Sequence, residues 1–208
     1  MPSKPFSIVI LISGNGSNLQ AIIDQITDQH NNNSATKISA VISNRPNAYG
    51  LERAKKAGIP TESLDHTQFN SREAFDLQLA KRIDQYQADL VVLSGFMRIL
   101  SDGFVKKYQG RLINIHPSLL PAYKGLHTHK RALEDKVKEH GASVHFVIPE
   151  LDAGSVIIHG IVPVKKNDDE ESLRKRVHLV EHLIYPMAIK WLAEDALPKK
   201  LVKFHLPS

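Results

Sequence analysis

Residues 6–26 read FSIVILISGNGSNLQAIIDQI, and this stretch decides the fold class. The continuous apolar run 6–12 is typical of a strand that is buried on both faces of a parallel sheet. A turn of Ser, Gly and Asn follows at 13–18, and Leu19, Ile22 and Ile26 then recur at helical spacing. A buried strand, a glycine-rich turn and an amphipathic helix in succession predict an α/β fold with a ligand site at the turn.

The same alternation of strands and helices continues along the chain. β-branched runs predict strands at 37–43, 89–94, 111–115, 142–148 and 155–164, the last two as an antiparallel pair. Helical spacing predicts helices at 50–58, from the cap Ser71 through Tyr86, at 127–138 and at 168–194, and a polar loop at 30–34. We therefore expect one domain over 1–208, with an open, mainly parallel twisted sheet and helices on both faces, a Rossmann-like arrangement.

The last predicted helix contains a proline. Pro186 is expected to kink or break it after Tyr185, because proline has no N–H and its ring clashes with the preceding turn. The stripe expected to be buried is Leu173, Val177, Val180, Ile184, Met187 and Trp191.

Composition narrows the function classes. The 208 residues are 42% hydrophobic and 24% charged, which excludes a disordered or collagenous chain. The formal net charge of +5 is scattered and aromatic residues are only 6%, so nucleic acid is not an expected partner. There is no cysteine, hence no disulfide or thiol chemistry, and no apolar run approaches the ~18 residues of a membrane span. We expect a soluble, cytoplasmic protein with no signal peptide.

The glycine turn suits a phosphate better than a dinucleotide. The dinucleotide fingerprint requires a third glycine where this chain has Leu19, and the next strand ends in Ser43-Asn44-Arg45 without a carboxylate for a ribose hydroxyl. No Gly-Lys-Ser/Thr follows the turn, so a Walker loop is absent as well. A lone phosphate monoester at the helix N-terminus remains the functional interpretation, and a tight turn with a Ser or Asn cap is the structural one.

Asn114-Ile115-His116-Pro117 is the strongest candidate for catalysis. Asn114 and His116 are two residues apart on a predicted strand, so their side chains point to the same face at its carboxyl end. An amide donor beside an imidazole suits an oxyanion that develops on a carbonyl-type carbon, with proton transfer nearby. Asp152, in the loop 149–154, either orients this imidazole or simply forms a turn, and the sequence leaves both open.

Two histidine patterns suggest metal sites. His178-x-x-Glu181-His182 fits the inverted zinc-protease pattern, but a third ligand would have to come from the few candidates after it. Glu181 could instead contact a ligand amine or face solvent. His127 and His129 stand at a predicted helix start, where a capping or surface position is expected. No metal site is predicted.

Several of these segments together resemble the folate-dependent phosphoribosylglycinamide formyltransferases of purine biosynthesis. The resemblance runs from Ile8 to about Trp191 and rests on the segments 11–22, 94–100, 114–121, 141–145 and 150–152. The Asn/His/Asp set is shared with other enzymes that use 10-formyltetrahydrofolate, so the N-terminal loop carries the finer assignment. Ala153 departs from the family, in which glycine is more usual, and this could alter the pterin loop.

The resemblance implies a formyl transfer from 10-formyltetrahydrofolate, as co-substrate, to the amine of glycinamide ribonucleotide, without metal. The implied catalytic residues are Asn114, His116 and Asp152. The implied nucleotide-binding residues are Gly16, Ser17, Asn18 and Glu181. The implied folate-binding residues are Arg72, Met97, Arg98, Ile99, Leu100, Asn114, Ile148, Pro149, Glu150, Leu151 and Asp152. A monomer or a homodimer is expected, with the nucleotide side in the N-terminal half of the domain and the catalytic and folate side in the C-terminal half.

Three alternatives remain at this point. A formyltetrahydrofolate hydrolase resembles the catalytic half but usually carries an N-terminal regulatory domain, for which a first strand at Phe6 leaves no room. A methionyl-tRNA formyltransferase would need an additional C-terminal domain. A non-catalytic folate- or nucleotide-binding module would tolerate loss of Asn114, His116 or Asp152, and all three are present.

Overall fold

A computed structural model of the chain describes residues 4–26 and 36–206, so the loop predicted at 30–34 lies outside the described residues. The strands are β1 Phe6–Ile12, β2 Thr36–Ser43, β3 Thr61–Ser63, β4 Leu90–Leu93, β5 Leu112–His116, β6 Glu139–Phe146, β7 Val156–Pro163 and β8 Val202–His205. The helices are α1 Ser17–Ile26, α2 Tyr49–Lys56, α3 Arg72–Gln85, α4 Asp102–Lys107, α5 Thr128–Glu134 and α6 Glu170–Ala193, with a 3-10 turn at His66–Gln68.

The strands form one mixed sheet in the order β3-β2-β1-β4-β5-β6-β7-β8. The predicted class, a mainly parallel sheet with antiparallel strands toward the C-terminus, is confirmed. The chain divides into two compact units, Met1–Ile113 and Asn114–Ser208, and the boundary falls inside β5.

The first unit is built on parallel strands. β1 pairs with β2 on one side and with β4 on the other, in register Ile8↔Ile38 and Ile8↔Leu90. Every residue from Ile8 to Ile12 is fully buried, as an apolar strand covered on both faces requires. α3 begins at the predicted cap, because the Ser71 hydroxyl accepts a hydrogen bond from Ala74 N.

The second unit contains the antiparallel pair. β6 pairs with β7 in the register Ser143↔His159, and β7 is parallel to β8. α6 packs closely against this pair at Gly160, where an added Cβ would stand 2.6 Å from Val180 Cγ2. A glycine in β7 therefore allows the helix to approach the sheet.

Several predicted boundaries are wrong. α5 ends at Glu134 instead of 138, because the chain turns through Asp135 and Lys136, whose φ is +51°. β6 starts at Glu139 rather than at 142, since Glu139 pairs with Pro163. The short elements β3, β8, α4 and the 3-10 turn were not predicted at all.

The break expected at Pro186 is also wrong. α6 continues through Pro186 to Ala193, and Tyr185, Ala188 and Ile189 are fully buried on either side of it. The buried packing of these residues outweighs the single backbone bond that a proline removes. Met187 and Trp191, which were expected in the buried stripe, are only half-buried. No helix within the described ranges 4–26 and 36–206 has the length and apolarity to cross a bilayer.

Candidate active site

His116 is the last residue of β5 and its imidazole lies between two acceptors. Nε2 is 2.9 Å from the carbonyl oxygen of Tyr123, and Nδ1 is 3.4 Å from Oδ2 of Asp152. The side chain is buried, with 6% exposure. A carbonyl and a carboxylate can only accept, so each ring nitrogen of His116 faces an acceptor.

Asp152 is brought to the imidazole by a loop that the sequence could not place. Its Oδ2 also accepts a hydrogen bond of 2.9 Å from Gly125 N. Asp152 and Tyr123 both have left-handed backbones, with φ of +49° and +54°. Such conformations cost roughly 1–3 kcal/mol in a residue other than glycine and cluster at functional sites. Asp152 lies in a turn and its carboxylate also faces the imidazole of His116, so the structure is compatible with both interpretations.

Asn114 shares the face of β5 with His116, as predicted, and its amide is oriented by a second histidine. Asn114 Nδ2 lies 3.3 Å from Nε2 of His145, and His145 Nδ1 lies 2.9 Å from the carbonyl of Phe146. The carbonyl fixes the proton on Nδ1, so Nε2 accepts from the Asn114 amide. Burial lowers the pKa of His145, which keeps this acceptor neutral.

His145 was not predicted as a functional residue. It lies 3.9 Å from Asp152 Oδ1 and is 2% exposed, so it touches both Asn114 and the loop that carries Asp152. The available signal was period-two spacing in β6, which places Ser143 and His145 on one face.

The glycine turn in the first unit requires glycine at position 16, and α2, which packs against the turn, requires it at position 50, where a Cβ would stand 2.6 Å from Ile12 Cδ1. Gly16 has φ of +76°, and a Cβ on it would approach Gly50 Cα to 2.8 Å. Gly50 N in turn donates to the carbonyl of Gly14 at 3.0 Å. Gly14 and Asn15 are exposed while Gly16, Ser17 and Asn18 are half-buried at the start of α1. A backbone turn at a helix N-terminus is a geometry that accepts an anion.

The turn is joined to the segment 97–100 by a buried serine. The Ser13 hydroxyl donates to Asn44 Oδ1 at 2.6 Å and accepts from Met97 N at 2.8 Å. Met97 and Ile99 expose 75% and 63% of their surfaces, whereas Leu100 is buried. Two exposed apolar side chains on a fixed backbone offer contact area to a flat ring.

The two arginines assigned to the folate side lie near α3. The Arg98 guanidinium stands 4.8 Å above the Phe75 ring. Arg72, the first residue of α3, lines a cavity of about 580 Å³ together with Asp76, Phe104 and Lys107. The lining of this cavity carries both signs of charge.

The remaining predicted residues lie in the second unit. Ile148 is half-buried and Pro149 is exposed, Leu151 is 56% exposed, and Glu150 pairs with Lys124 at 2.9 Å. Glu181 is only 4% exposed in α6, so the solvent-facing alternative is wrong. Burial and the Glu181 charge together hold the pKa of Tyr185 well above its usual range.

Four other histidines lie in two pairs. His129 is buried, against the expectation of a cap or surface position, and its Nδ1 lies 3.2 Å from Nε2 of His140. Burial lowers the pKa of each of these two rings to about 4, so the pair is neutral. His178 and His182 stack with centroids 6.2 Å apart. No group of three or more potential ligands lies together in the part of the chain that the structure describes.

An amide, an imidazole and a buried carboxylate around the end of a strand in a parallel α/β sheet define an enzyme of carbonyl-carbon chemistry. Residues 6–189 match the model of the family described as Formyl transferase. The chain belongs to this family.

The relatives of the chain narrow the assignment from the formyltransferase family to one kind of formyltransferase. The chain is 56% identical over 191 residues to the phosphoribosylglycinamide formyltransferase of Escherichia coli, covering 92% of this chain and 89% of the relative. It is 48% identical over 185 residues to the trifunctional purine biosynthetic protein adenosine-3 of Drosophila melanogaster, covering 89% of this chain but only 14% of that longer protein. The resemblance seen in the sequence is confirmed.

Solved structures with the same fold support this assignment. The phosphoribosylglycinamide formyltransferase of Coxiella burnetii has a TM-score of 0.86 at 52% identity, covering 92% of this chain and 89% of that one. The glycinamide ribonucleotide transformylase 1 of Symbiobacterium toebii has a TM-score of 0.87 at 42% identity, covering 97% and 95%. Fold and sequence point to the same kind of enzyme.

Proposed function

We propose that the chain, acting as one formyltransferase domain over 1–208, transfers the formyl group of 10-formyltetrahydrofolate to the amine of glycinamide ribonucleotide in purine biosynthesis. The products are formylglycinamide ribonucleotide and tetrahydrofolate. The observation that carries the proposal is the placement of His116 between Asp152 and the Tyr123 carbonyl, with Asn114 on the same strand face. The 56% identity to the Escherichia coli enzyme supports the choice of substrates.

The chemistry follows from these side chains. The substrate amine attacks the formyl carbon and the carbonyl oxygen becomes an oxyanion. The second N–H of Asn114 Nδ2 would be one donor for that oxyanion, and a His116 N–H would be the other once the oxyanion replaces the Tyr123 carbonyl as its acceptor. The amine loses a proton, with Asp152 helping its transfer directly or through water, and the folate nitrogen takes one up as its bond to carbon breaks. No covalent enzyme intermediate is required.

The nucleotide would be held mainly by the glycine turn. Backbone N–H groups at Gly16, Ser17 and Asn18, at the start of α1, would bind the ribose phosphate. The buried carboxylate of Glu181 would bind the substrate amine or its neighbourhood.

The folate would use segments of both sequence halves. The exposed side chains of Met97 and Ile99, with Arg98, Leu100 and the loop 148–152, would contact the pterin, and Arg72 would meet the acidic tail. We expect small molecules as the only substrates, a cytoplasmic location, and a monomer or homodimer that needs no metal.

A release assay tests this proposal. Purified protein is mixed with 10-formyltetrahydrofolate, with and without glycinamide ribonucleotide, and tetrahydrofolate is followed by absorbance. Release that depends on the nucleotide is expected. Equal release in both mixtures would identify a hydrolase, and absence of release in both would contradict the proposal.

A further inference from the structure

Arg53 in α2 directs its whole guanidinium group at the glycine turn. Nε donates to the carbonyl of Asn15 at 2.9 Å, and one terminal nitrogen donates to Asn15 Oδ1 at 2.9 Å. The other terminal nitrogen donates to Gln20 Oε1 at 3.2 Å, one turn into α1. Three hydrogen bonds from one side chain thus connect α2 to both the turn and the helix after it.

The turn needs such an external support. It contains two glycines within three residues, and glycine loses more conformational freedom on ordering than any other residue. Gly14 and Asn15 are exposed, so little apolar burial fixes them. The backbone hydrogen bond from Gly50 N to Gly14 O holds one end of the turn in place. Arg53 holds the middle of the turn through its two hydrogen bonds to Asn15.

The positive charge of Arg53 remains available to attract an anion at the turn. None of the ion pairs found within 4–26 and 36–206 includes Arg53, whose acceptors in the turn are neutral amide oxygens. Its guanidinium carbon lies 5.0 Å from the Tyr49 ring centroid, a contact that holds the side chain in place without neutralising it. Lys55, two residues on, is instead paired with Glu52 at 2.8 Å.

We infer that Arg53 is a positioning residue for phosphate recognition: it holds the turn 14–18 in the conformation that binds the phosphate of the acceptor nucleotide. The inference rests on the proposed function, because it assigns the turn to the substrate phosphate. It makes Arg53 a determinant of the preference for a phosphorylated acceptor over the same acceptor without phosphate.

The role depends on the shape of the side chain as well as on its charge. The planar fork of arginine binds the main-chain and side-chain oxygens of Asn15 and the Gln20 side chain through three different nitrogens, an arrangement that the single nitrogen of an ammonium group does not reproduce. Arg53→Lys keeps the charge and loses the fork. Arg53→Gln loses both. Lys55→Gln removes one charge from the same helix and leaves the turn untouched.

The test compares two acceptors in these three variants. Glycinamide ribonucleotide and its dephosphorylated ribonucleoside are assayed for kcat and kcat/KM, and nucleotide binding is measured separately by calorimetry. We expect Arg53→Gln and Arg53→Lys each to weaken nucleotide binding and raise its KM about tenfold, the equivalent of losing one or two hydrogen bonds. The kcat at saturation and kcat/KM for the ribonucleoside stay at wild-type values, and Lys55→Gln matches wild type throughout.

Other outcomes would overturn the inference, the proposed function or both. Wild-type nucleotide affinity in Arg53→Lys would overturn the inference, as would an equal loss with nucleotide and ribonucleoside. If the wild-type protein binds the nucleotide but transfers no formyl group, the proposed function fails, and calorimetry on the Arg53 variants still decides the inference. Absence of nucleotide binding by the wild-type protein would overturn both.

Discussion

The imidazole of His116 has its two nitrogens facing acceptors, and Asn114 donates beside it to a neutral His145. In the proposed mechanism the two side chains have separate roles. Asn114 would supply a donor whose orientation is fixed by a neutral neighbour, while His116 would supply one that is held in place by Asp152. An oxyanion on the formyl carbon would meet both.

Removing either donor tests these roles. Asn114→Ala and His116→Ala are each expected to lower kcat by about 10²–10³, the usual effect of losing one oxyanion donor. Both variants should remain folded with a lowered thermal unfolding midpoint, because each substitution removes a partner from a buried polar group. His205→Ala, at an exposed site in β8, serves as the matched control. Wild-type turnover in both variants would contradict the mechanism.

At the scale of single residues, the sequence predicts which side chains lie together on one strand or helix. It does not predict which side chains a loop brings together. Asn114 and His116 could be paired because strand geometry places alternate residues on one face. The approach of Asp152 to His116 depends on left-handed backbone at Tyr123 and Asp152, which no local pattern encodes. His145 was missed for the same reason, because its function comes from contacts with β5 and with the loop 148–152.

At the scale of elements, α6 and its packing on β7 organise the second unit. The Asp168 carboxylate accepts two hydrogen bonds from Arg176, at 2.7 and 2.8 Å, and another from Lys165 N at 2.7 Å. The Arg176 bonds and charge hold the pKa of Asp168 at about 2, below its ordinary 3.8. Next to it, Asp169 and Ser172 form a capping box at the helix start.

Asp168 should therefore contribute stability that depends on pH. Because its pKa is lower in the folded protein, this stability is complete above about pH 4 and is lost as the pH falls toward 2. Asp168→Asn is expected to lower the free energy of unfolding by about 2 kcal/mol at pH 7. Urea unfolding at pH 7, 5 and 3 measures the difference between wild type and variant. A difference that is as large at pH 3 as at pH 7 would contradict this account.

The close approach of α6 to β7 gives a second prediction. Gly160→Ala places a methyl group 2.6 Å from Val180 Cγ2, and overpacking of this kind costs about 1–3 kcal/mol. Gly103→Ala in α4 is the control, because its new methyl group would meet nothing within 4 Å. Gly103→Ala should leave the free energy of unfolding unchanged or raise it slightly, since alanine is a better helix former than glycine. Equal unfolding midpoints in urea for both variants would show that the contact at Gly160 does not limit the packing.

Local patterns predicted the long elements well and the short ones poorly. β1 contains the unbroken apolar run 8–12, apolar residues predominate at 38–42 in β2, and α3 has both a cap and a clear period. β3 and β8 have three and four residues with no buried side chain, and so short a stretch does not establish a strand even where Val202 and Phe204 alternate with polar residues. α6 passes Pro186 because burial on both sides compensates for the lost bond, which a rule based on propensity alone cannot foresee.

At the scale of the whole molecule, fold class and family were predictable because motifs are spread along nearly the entire chain. The alternation of strands with helices in the first half predicted parallel pairing, and the antiparallel β6–β7 pair was predicted in the second half, but the sheet order β3-β2-β1-β4-β5-β6-β7-β8 was not predicted. Matches over residues 6–189 confirm that the motifs belong to one family. The proposed function further requires that the formyl group passes to the nucleotide and is not released as formate.

The most direct test follows that carbon. 10-Formyltetrahydrofolate labelled with ¹³C in the formyl group is mixed with glycinamide ribonucleotide and the protein, and the label is followed by NMR. We expect the N-formyl signal of the donor, an aryl formamide, to be replaced by the signal of an alkyl formamide on the nucleotide, in amounts equal to the tetrahydrofolate released. Label that accumulates as free formate while the nucleotide remains unmodified would contradict direct transfer.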